Sequence, residues 1–337
     1  MLRFDALRRA LLVIALLLLP ATEADAAVPA CRGRNLVTEM RENAPNDYLL
    51  LQIKAAAIAN GEGLLWRVEK GGVAPSHLFG TIHITDERVT GLPAPVRDAL
   101  AAAKTLAVES VDAMDRKVLE ENLEAYKELM FFQDGRPLSE HLDEDRRAAL
   151  MAALGRLGAD IGEFGAMKPW VVATALAAPA CETARQAELP VVDQIVANMA
   201  EAAGIPIVSL ERIDEQLAAF DAIPLDLQAE YLIASVRLHP RMEDLFTTMA
   251  ALYAARDVAT IEALSKHLSD QTGISEAGHA AFNDHLVDRR NTVMIDRARP
   301  LIDKGAAFIA VGALHLPGDK GLVSLLREKG YTVTRIY

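Results

Sequence analysis

The spacing of apolar positions changes twice along the chain. Residues 64–69, 76–83 and 105–110 are short apolar runs rich in β-branched and aromatic side chains, and so are 307–315 and 331–336 at the other end. Runs of that length predict buried strands. From about 113 to about 300 the period lengthens to that of a helix. Leu119, Leu123, Tyr126 and Met130 recur at helical spacing, as do Leu150, Leu154 and Leu157, and Met242, Leu245, Met249 and Leu252, so each set predicts a helix burying one face. One strand-like run, 205–211, interrupts this stretch behind a helix that closes at Gly204. Ahead of the first strand, 34–60 reads as helical with Leu49, Leu50 and Ile53 on its apolar face, up to the break at Asn60-Gly61-Glu62-Gly63.

Shorter signals complete the outline. Gly71-Gly72 turns 64–69 back toward 76–83, which predicts an antiparallel pair. Pro93 and Pro95 open a short helix running to 104, a long helix covers 280–298, and another over 321–329 is stopped by Gly330. The fold expected is α/β: a core sheet built from both chain ends, 61–112 and 301–337, with a large α-helical insertion over 113–300 that carries one short strand near 205–210. An N-terminal helical segment, 27–60, precedes it.

Composition and charge narrow the class. The chain has 337 residues, 51% of them hydrophobic and 24% charged, enough to bury a sizeable core. Its net charge of −12 is spread along the sequence, which excludes a phosphate-tracking surface and makes nucleic acid a poor partner. Arg3, Arg8 and Arg9 flank the apolar run 10–19, and Ala24-Asp25-Ala26 supplies small residues for cleavage near Ala26. That is a signal peptide, 1–26, too short in its apolar part to span a bilayer comfortably. A periplasmic or secreted location follows, with no stable membrane span after cleavage. Cys31 and Cys181 are the two cysteines; in an oxidising compartment they admit either one disulfide or two separate buried thiols.

Candidate chemistry gathers at predicted strand ends. The run 76–83 closes in Gly80-Thr81-Ile82-His83, and 307–315 closes in Gly312-Ala313-Leu314-His315, each a Gly-x-x-His. A chain with 20 Gly and 8 His meets so short a pattern by chance, so the weight lies in the shared context of two buried strands. Glu109 and Glu211 end two further strand-like runs, and in open α/β sheets functional groups gather beyond the carboxyl ends of strands. Two neutral imidazoles and a carboxylate suit a divalent metal with open positions, so His83, His315 and Glu109 are the candidate ligands. Glu109, with Glu211 as second choice, is also the candidate base. Arg290 shares a helix face with Leu286 and Val293, where its head must reach a carboxylate or an anionic substrate, or snorkel out to solvent. Weaker candidates have structural readings: Asp86-Glu87 as a loop, Lys168-Pro169-Trp170 as a helix start, Asp193 as a cap or salt-bridge residue, and His239, His267 and His279 as surface residues.

Taken together, 78–83, Val108-Glu109, Lys168-Pro169-Trp170, Asp193, Leu210-Glu211, Glu215-Gln216-Leu217, Arg290-Asn291, 311–318 and Gly330-Tyr331 resemble the TraB/GumN family, related to the Tiki metalloproteases, within a wider group that includes erythromycin esterase and haem-binding ChaN proteins. The resemblance implies an α/β core with a helical insertion, a divalent ion such as Mn, Co or Zn on His83, His315 and Glu109, and Arg290 beside it. The expectation is a metal-dependent, peptidase-like hydrolase acting on a peptide or small-molecule substrate. The alternative on the same scaffold is a non-enzymatic binding protein for a haem-like or other small ligand. A metal-free esterase is disfavoured because no Gly-x-Ser-x-Gly elbow is present.

Overall fold

A six-stranded mixed sheet in the order β4-β3-β5-β2-β1-β6 organises the protein. The computed structural model describes residues 30–114 and 116–337, apart from the side chains of 116, 117 and 119–123. The leader 1–26 and the side chains of the stripe residues Leu119 and Leu123 therefore lie outside what is described. The strands are β1 Leu65–Glu69, β2 Ser76–Thr81, β3 Thr105–Val108, β4 Ile207–Ser209, β5 Ala307–Gly312 and β6 Thr332–Arg335. β1 runs antiparallel to β2 and β6, whereas β2, β5, β3 and β4 are mutually parallel. Both chain ends build this sheet, as their apolar runs predict.

The central strand explains its own sequence. From Ala307 to Val311 every residue of β5 is buried, because helices cover both faces of the sheet and leave no place for alternating polar residues. Phe308 and Ala310 join Phe79, Leu106 and Val108 in one core with the helix Val192–Ala202. Ile309 and Val311 join Leu78 and Ala107 in a second core, against Met294, Ile295, Ala298 and Ile302 of the helix Arg289–Lys304. A third cluster, around Leu150, Leu154, Trp170 and Leu232, packs helices on each other away from the sheet. The long segment between the two sheet halves thus divides its apolar residues between that cluster and the sheet, to whose edge it contributes β4.

Two helices differ from expectation for identifiable reasons. The segment 34–60 breaks into Leu36–Asn43 and Pro45–Ala56, with Ala44 at φ −141°, ψ 62°, since a residue before proline is pushed out of the helical region. In the second helix the buried face is Leu51 and Ala55, and Leu49, Leu50 and Ile53 stand out in solvent. Three consecutive leucines leave the period with two apolar faces to choose from. Leu51→Ala is accordingly expected to cost about 2–5 kcal/mol and Ile53→Ala about 0.5 kcal/mol or less, as read from urea unfolding midpoints.

The expected helix 280–298 is instead Glu276–Asn283, a π-helical turn Asp284–Asp288, and Arg289–Lys304. A π turn inserts a residue and rotates the face that follows. Asn291, Met294 and Ile295 are therefore buried, while Val293 is exposed. Cys31 and Cys181 form a disulfide with 5.4 Å between Cα atoms. Among the described residues no helix is long and apolar enough to cross a membrane.

Candidate functional site

The four parallel strands deliver their carboxyl ends to one edge, and the residues singled out from the sequence follow those ends: His83 after β2, Glu109 after β3, Glu211 after β4 and His315 after β5. β2 and β5 are neighbours in register, with Thr81 opposite Gly312. Both glycines of the Gly-x-x-His patterns serve close approach. A Cβ on Gly80 would sit 2.7 Å from Leu316 Cδ1, and one on Gly312 would sit 3.1 Å from Glu109 Oε1. β5 ends at Gly312, and a 3₁₀ turn, Ala313–His315, swings the second imidazole back over the strand end.

His315 is buried and oriented by Asn291. The Asn291 Nδ2 donates to the Lys320 carbonyl at 2.9 Å, so its Oδ1 is the atom that meets His315 Nδ1 at 2.7 Å. Nδ1 must then carry the proton. Burial, followed by Arg290 and His83, lowers this imidazole to about 4 against the opposing pull of Glu109, so it is neutral at pH 7. Its Nε2 lone pair faces Glu109 Oε1 at 3.7 Å. Two electron-rich atoms so placed call for a proton donor or a cation between them.

Glu109 is fixed on all sides. Its Oε1 accepts the Gly312 N–H at 2.6 Å, and its Oε2 accepts Arg290 Nη2 at 2.8 Å. Burial alone would raise this carboxyl, but His315, Arg290, His83 and the Gly312 N–H outweigh it and hold it down at about 2. Arg290 Nη2 also donates to Glu211 Oε2 at 2.7 Å, its Nε donates to Glu211 Oε1 at 3.0 Å, and its Nη1 reaches the Leu286 carbonyl. Gln216 spans both carboxylates, with its Nε2 3.3 Å from Glu211 and 3.5 Å from Glu109. A carboxyl depressed in the folded state adds stability above its ordinary value near 4.5, and that stability is lost as pH falls through about 2. Glu109→Gln should therefore show a flatter loss of stability than wild type between about pH 4.5 and pH 2, checked by urea midpoints across that window.

His83 stands apart from this cluster. Its side chain is 68% exposed, and its Nδ1 lies 3.1 Å from Asp193 Oδ2. Asp193 is buried, accepts the Thr81 hydroxyl at 2.6 Å through Oδ1, and has among the described residues only the His83 ring to partner Oδ2. The Asp193 carboxylate is the main influence raising His83, to about 9; solvent at the exposed ring screens part of that pull, and the upward direction stands. Tyr253 donates to the Gly80 carbonyl at 2.7 Å and steadies the strand end behind both groups.

The structure thus brings His315, Glu109, Glu211 and Arg290 into direct contact and holds His83 near enough for the charges of Glu109 and Arg290 to act on it. Asp193, expected from the sequence as a cap or salt-bridge residue, takes the second of those parts, with His83 as its partner, while Asn291 and Gln216 are partners to which the residues alone assign no role. Among the described residues no group of three His, Cys, Asp or Glu side chains is gathered closely enough to hold a metal ion. The donor chemistry nevertheless fits one: each imidazole has Nδ1 engaged by a side-chain oxygen, which leaves Nε2 as the ligating atom. Glu109 is ionised, and His83 would release its proton on binding.

The fold and site define an α/β protein that presents two oriented imidazoles and a buried carboxylate at the carboxyl ends of neighbouring parallel strands. The chain belongs to the TraB/PrgY/gumN family, whose sequence pattern it matches over residues 64–335. It is similar to a protein named Metalloprotease TIKI homolog from Amphimedon queenslandica, with 23% identity over 328 residues covering 82% of this chain and 62% of that protein. It is also similar to Metalloprotease TIKI2 of Danio rerio, with 24% identity over 320 residues covering 80% of this chain and 60% of the relative. The chain therefore spans about three fifths of the length of these relatives. No solved structure matches it.

Proposed function

We propose that this protein is a metal-dependent hydrolase of peptide bonds, with His83, His315 and Glu109 holding a divalent ion and Arg290 beside them. The observation that carries the reading is the unshared electron pair of His315 Nε2 directed at the ionised Glu109. The names of the relatives, both metalloproteases, support it. An ion bound there would lower the pKa of a coordinated water and polarise a carbonyl; Mn, Co and Zn all accept imidazole and carboxylate donors.

The chain's own residues divide the remaining work. A carboxylate held near 2 is a poor proton acceptor at neutral pH, so Glu109 suits ligation better than general base catalysis. Glu211 lies behind Arg290 and is suited to bracing the guanidinium. Arg290 in turn fixes Glu109. His83, at the open mouth, is the donor that a substrate meets first, and Leu314, 42% exposed beside His315, offers an apolar contact. The disulfide accords with an oxidising compartment, as a periplasmic or secreted enzyme requires.

The test is hydrolysis of a mixed-sequence peptide pool by protein stripped with a chelator and then equilibrated with Mn, Co or Zn, with metal content measured in parallel. Cleavage restored by one ion bound at about one per chain is the expected result. Equal cleavage with and without metal, or no retained metal, overturns the proposal. A Soret band on titration with haem, without peptide cleavage, would instead mark a binding protein.

A further inference from the structure

The loop that carries His83 leaves the sheet after Thr81, so its backbone polar groups have no strand ladder to satisfy them. A short helix, Ala180–Gln186, supplies their partners. Glu182 accepts the Thr85 N–H at 2.7 Å and the Thr85 hydroxyl at 3.1 Å; Arg185 donates to the Thr85 hydroxyl and carbonyl, both at 2.9 Å; and Gln186 donates to the His83 carbonyl at 3.0 Å. Glu182 is 2% exposed and Thr85 is equally buried. The buried residues of this helix are Cys181 and Glu182. It is therefore seated by a covalent bond and a polar clamp rather than by an apolar face.

The covalent bond leads to a fixed mount. Cys31 lies on a segment whose backbone donors are taken by Glu243, Asp244 and Thr248, at 3.2, 2.7 and 2.8 Å, through the N–H groups of Arg32, Arg34 and Leu36. Between them Gly33 sits so close that a Cβ would lie 2.0 Å from the Glu243 carbonyl oxygen. Glu243, Asp244 and Thr248 belong to the helix Met242–Ala254, which also carries Tyr253, the donor to Gly80 at the end of β2. The circuit is closed: from that helix through the N-terminal segment, across the disulfide to Ala180–Gln186, into the His83 loop, and back through β2 to Tyr253. Beyond Ala180–Gln186 the chain runs into the helix whose Asp193 meets the His83 ring.

We propose that the Cys31–Cys181 disulfide and Glu182 are positioning groups for His83, holding its backbone while Asp193 holds its ring. The catalytic consequence rests on His83 belonging to the hydrolytic site proposed above, whereas the positioning itself does not. Segment 31–34, remote from the site in sequence, thereby becomes part of its support, and the oxidised state of the two cysteines becomes a condition for a fixed His83.

The experiment compares wild type with Cys31→Ser/Cys181→Ser, Glu182→Ala and Glu182→Gln by hydrogen exchange of peptides covering 82–88 and 307–315, alongside kcat and KM on a cleaved peptide. Exchange in 82–88 is expected to quicken at least about tenfold in the double cysteine variant and in Glu182→Ala, with 307–315 unchanged. Glu182→Gln, which keeps an acceptor for the Thr85 N–H, should restore protection, and the loss of rate should fall in kcat. Unchanged exchange in 82–88 of the double cysteine variant overturns the proposal, and so does a loss of protection spread evenly over the chain. Quickened exchange with kcat intact overturns the catalytic consequence of the positioning. Should Glu182→Ala fail to fold, the cysteine variant and Glu182→Gln decide. Absence of any hydrolysis by wild type, with exchange behaving as expected, refutes the hydrolase reading and leaves the clamp standing.

Discussion

Arg290→Met should lower the stability of the protein by about 3–5 kcal/mol, the range for removing one partner of a buried charge network. The methionine can fill the space of the Arg290 stem, so the loss reports charge more than packing. With the guanidinium gone, Glu109 and Glu211 face each other with Gln216 as the donor common to both, at 3.5 and 3.3 Å. Their side chains are only 17% and 2% exposed, and water cannot replace what Arg290 supplied. The pH dependence identifies the mechanism. In the variant, burial and the nearby Glu211 carboxylate, no longer opposed by Arg290, raise the Glu109 carboxyl, so the folded state binds protons that wild type does not and stability rises as pH falls from about 7 toward 5. Wild type, with Glu109 held at about 2, gains nothing of this kind from Glu109 over that range. Adding Glu211→Gln should recover part of the loss at neutral pH. Urea unfolding at two pH values measures all of this; a cost under about 1 kcal/mol, or a variant that weakens further on mild acidification, would show that the network is not held by Arg290.

Much of this arrangement is legible in the chain, and the illegible part has a physical cause. The central strands announce themselves because a strand covered on both faces cannot tolerate polar alternation, so β5 and the end of β2 read as apolar runs. Their ends, and hence His83, Glu109, Glu211 and His315, follow directly. What spacing cannot convey is rotation. The π turn at Asp284–Asp288 rotates the whole following helix relative to the residues before it, so a stripe drawn through Leu286 misplaces what comes after: Val293 is exposed and Arg290 reaches Glu109 and Glu211. The same shift buries Asn291, the residue that sets the tautomer of His315. Asp193 looks like an ordinary first-turn acid of its helix until the fold lays it against Thr81 and His83. Leu49 and Leu51 exchange places between solvent and core because nothing local distinguishes three leucines in a row.

The two histidines should be equally necessary for hydrolysis and support the fold in different ways. His83→Ala and His315→Ala are each expected to lower kcat/KM by on the order of 10³-fold, the scale of several kcal/mol of transition-state stabilisation, and to abolish stoichiometric metal retention. The structural costs have separate origins. His315→Ala leaves the Asn291 Oδ1 unpaired in the core, worth about 1–3 kcal/mol. His83 is exposed, and its loss would be nearly neutral if exposure were the whole account; but it partners a buried oxygen of Asp193 that meets no other donor among the described residues, so a cost of about 1–3 kcal/mol is expected here too. The double variant His83→Ala/Asp193→Asn separates the roles. Removing the stranded charge should return most of the stability while the rate stays at the level of His83→Ala. If the rate recovers along with the stability, His83 serves the fold by neutralising Asp193, and the ligand assignment falls.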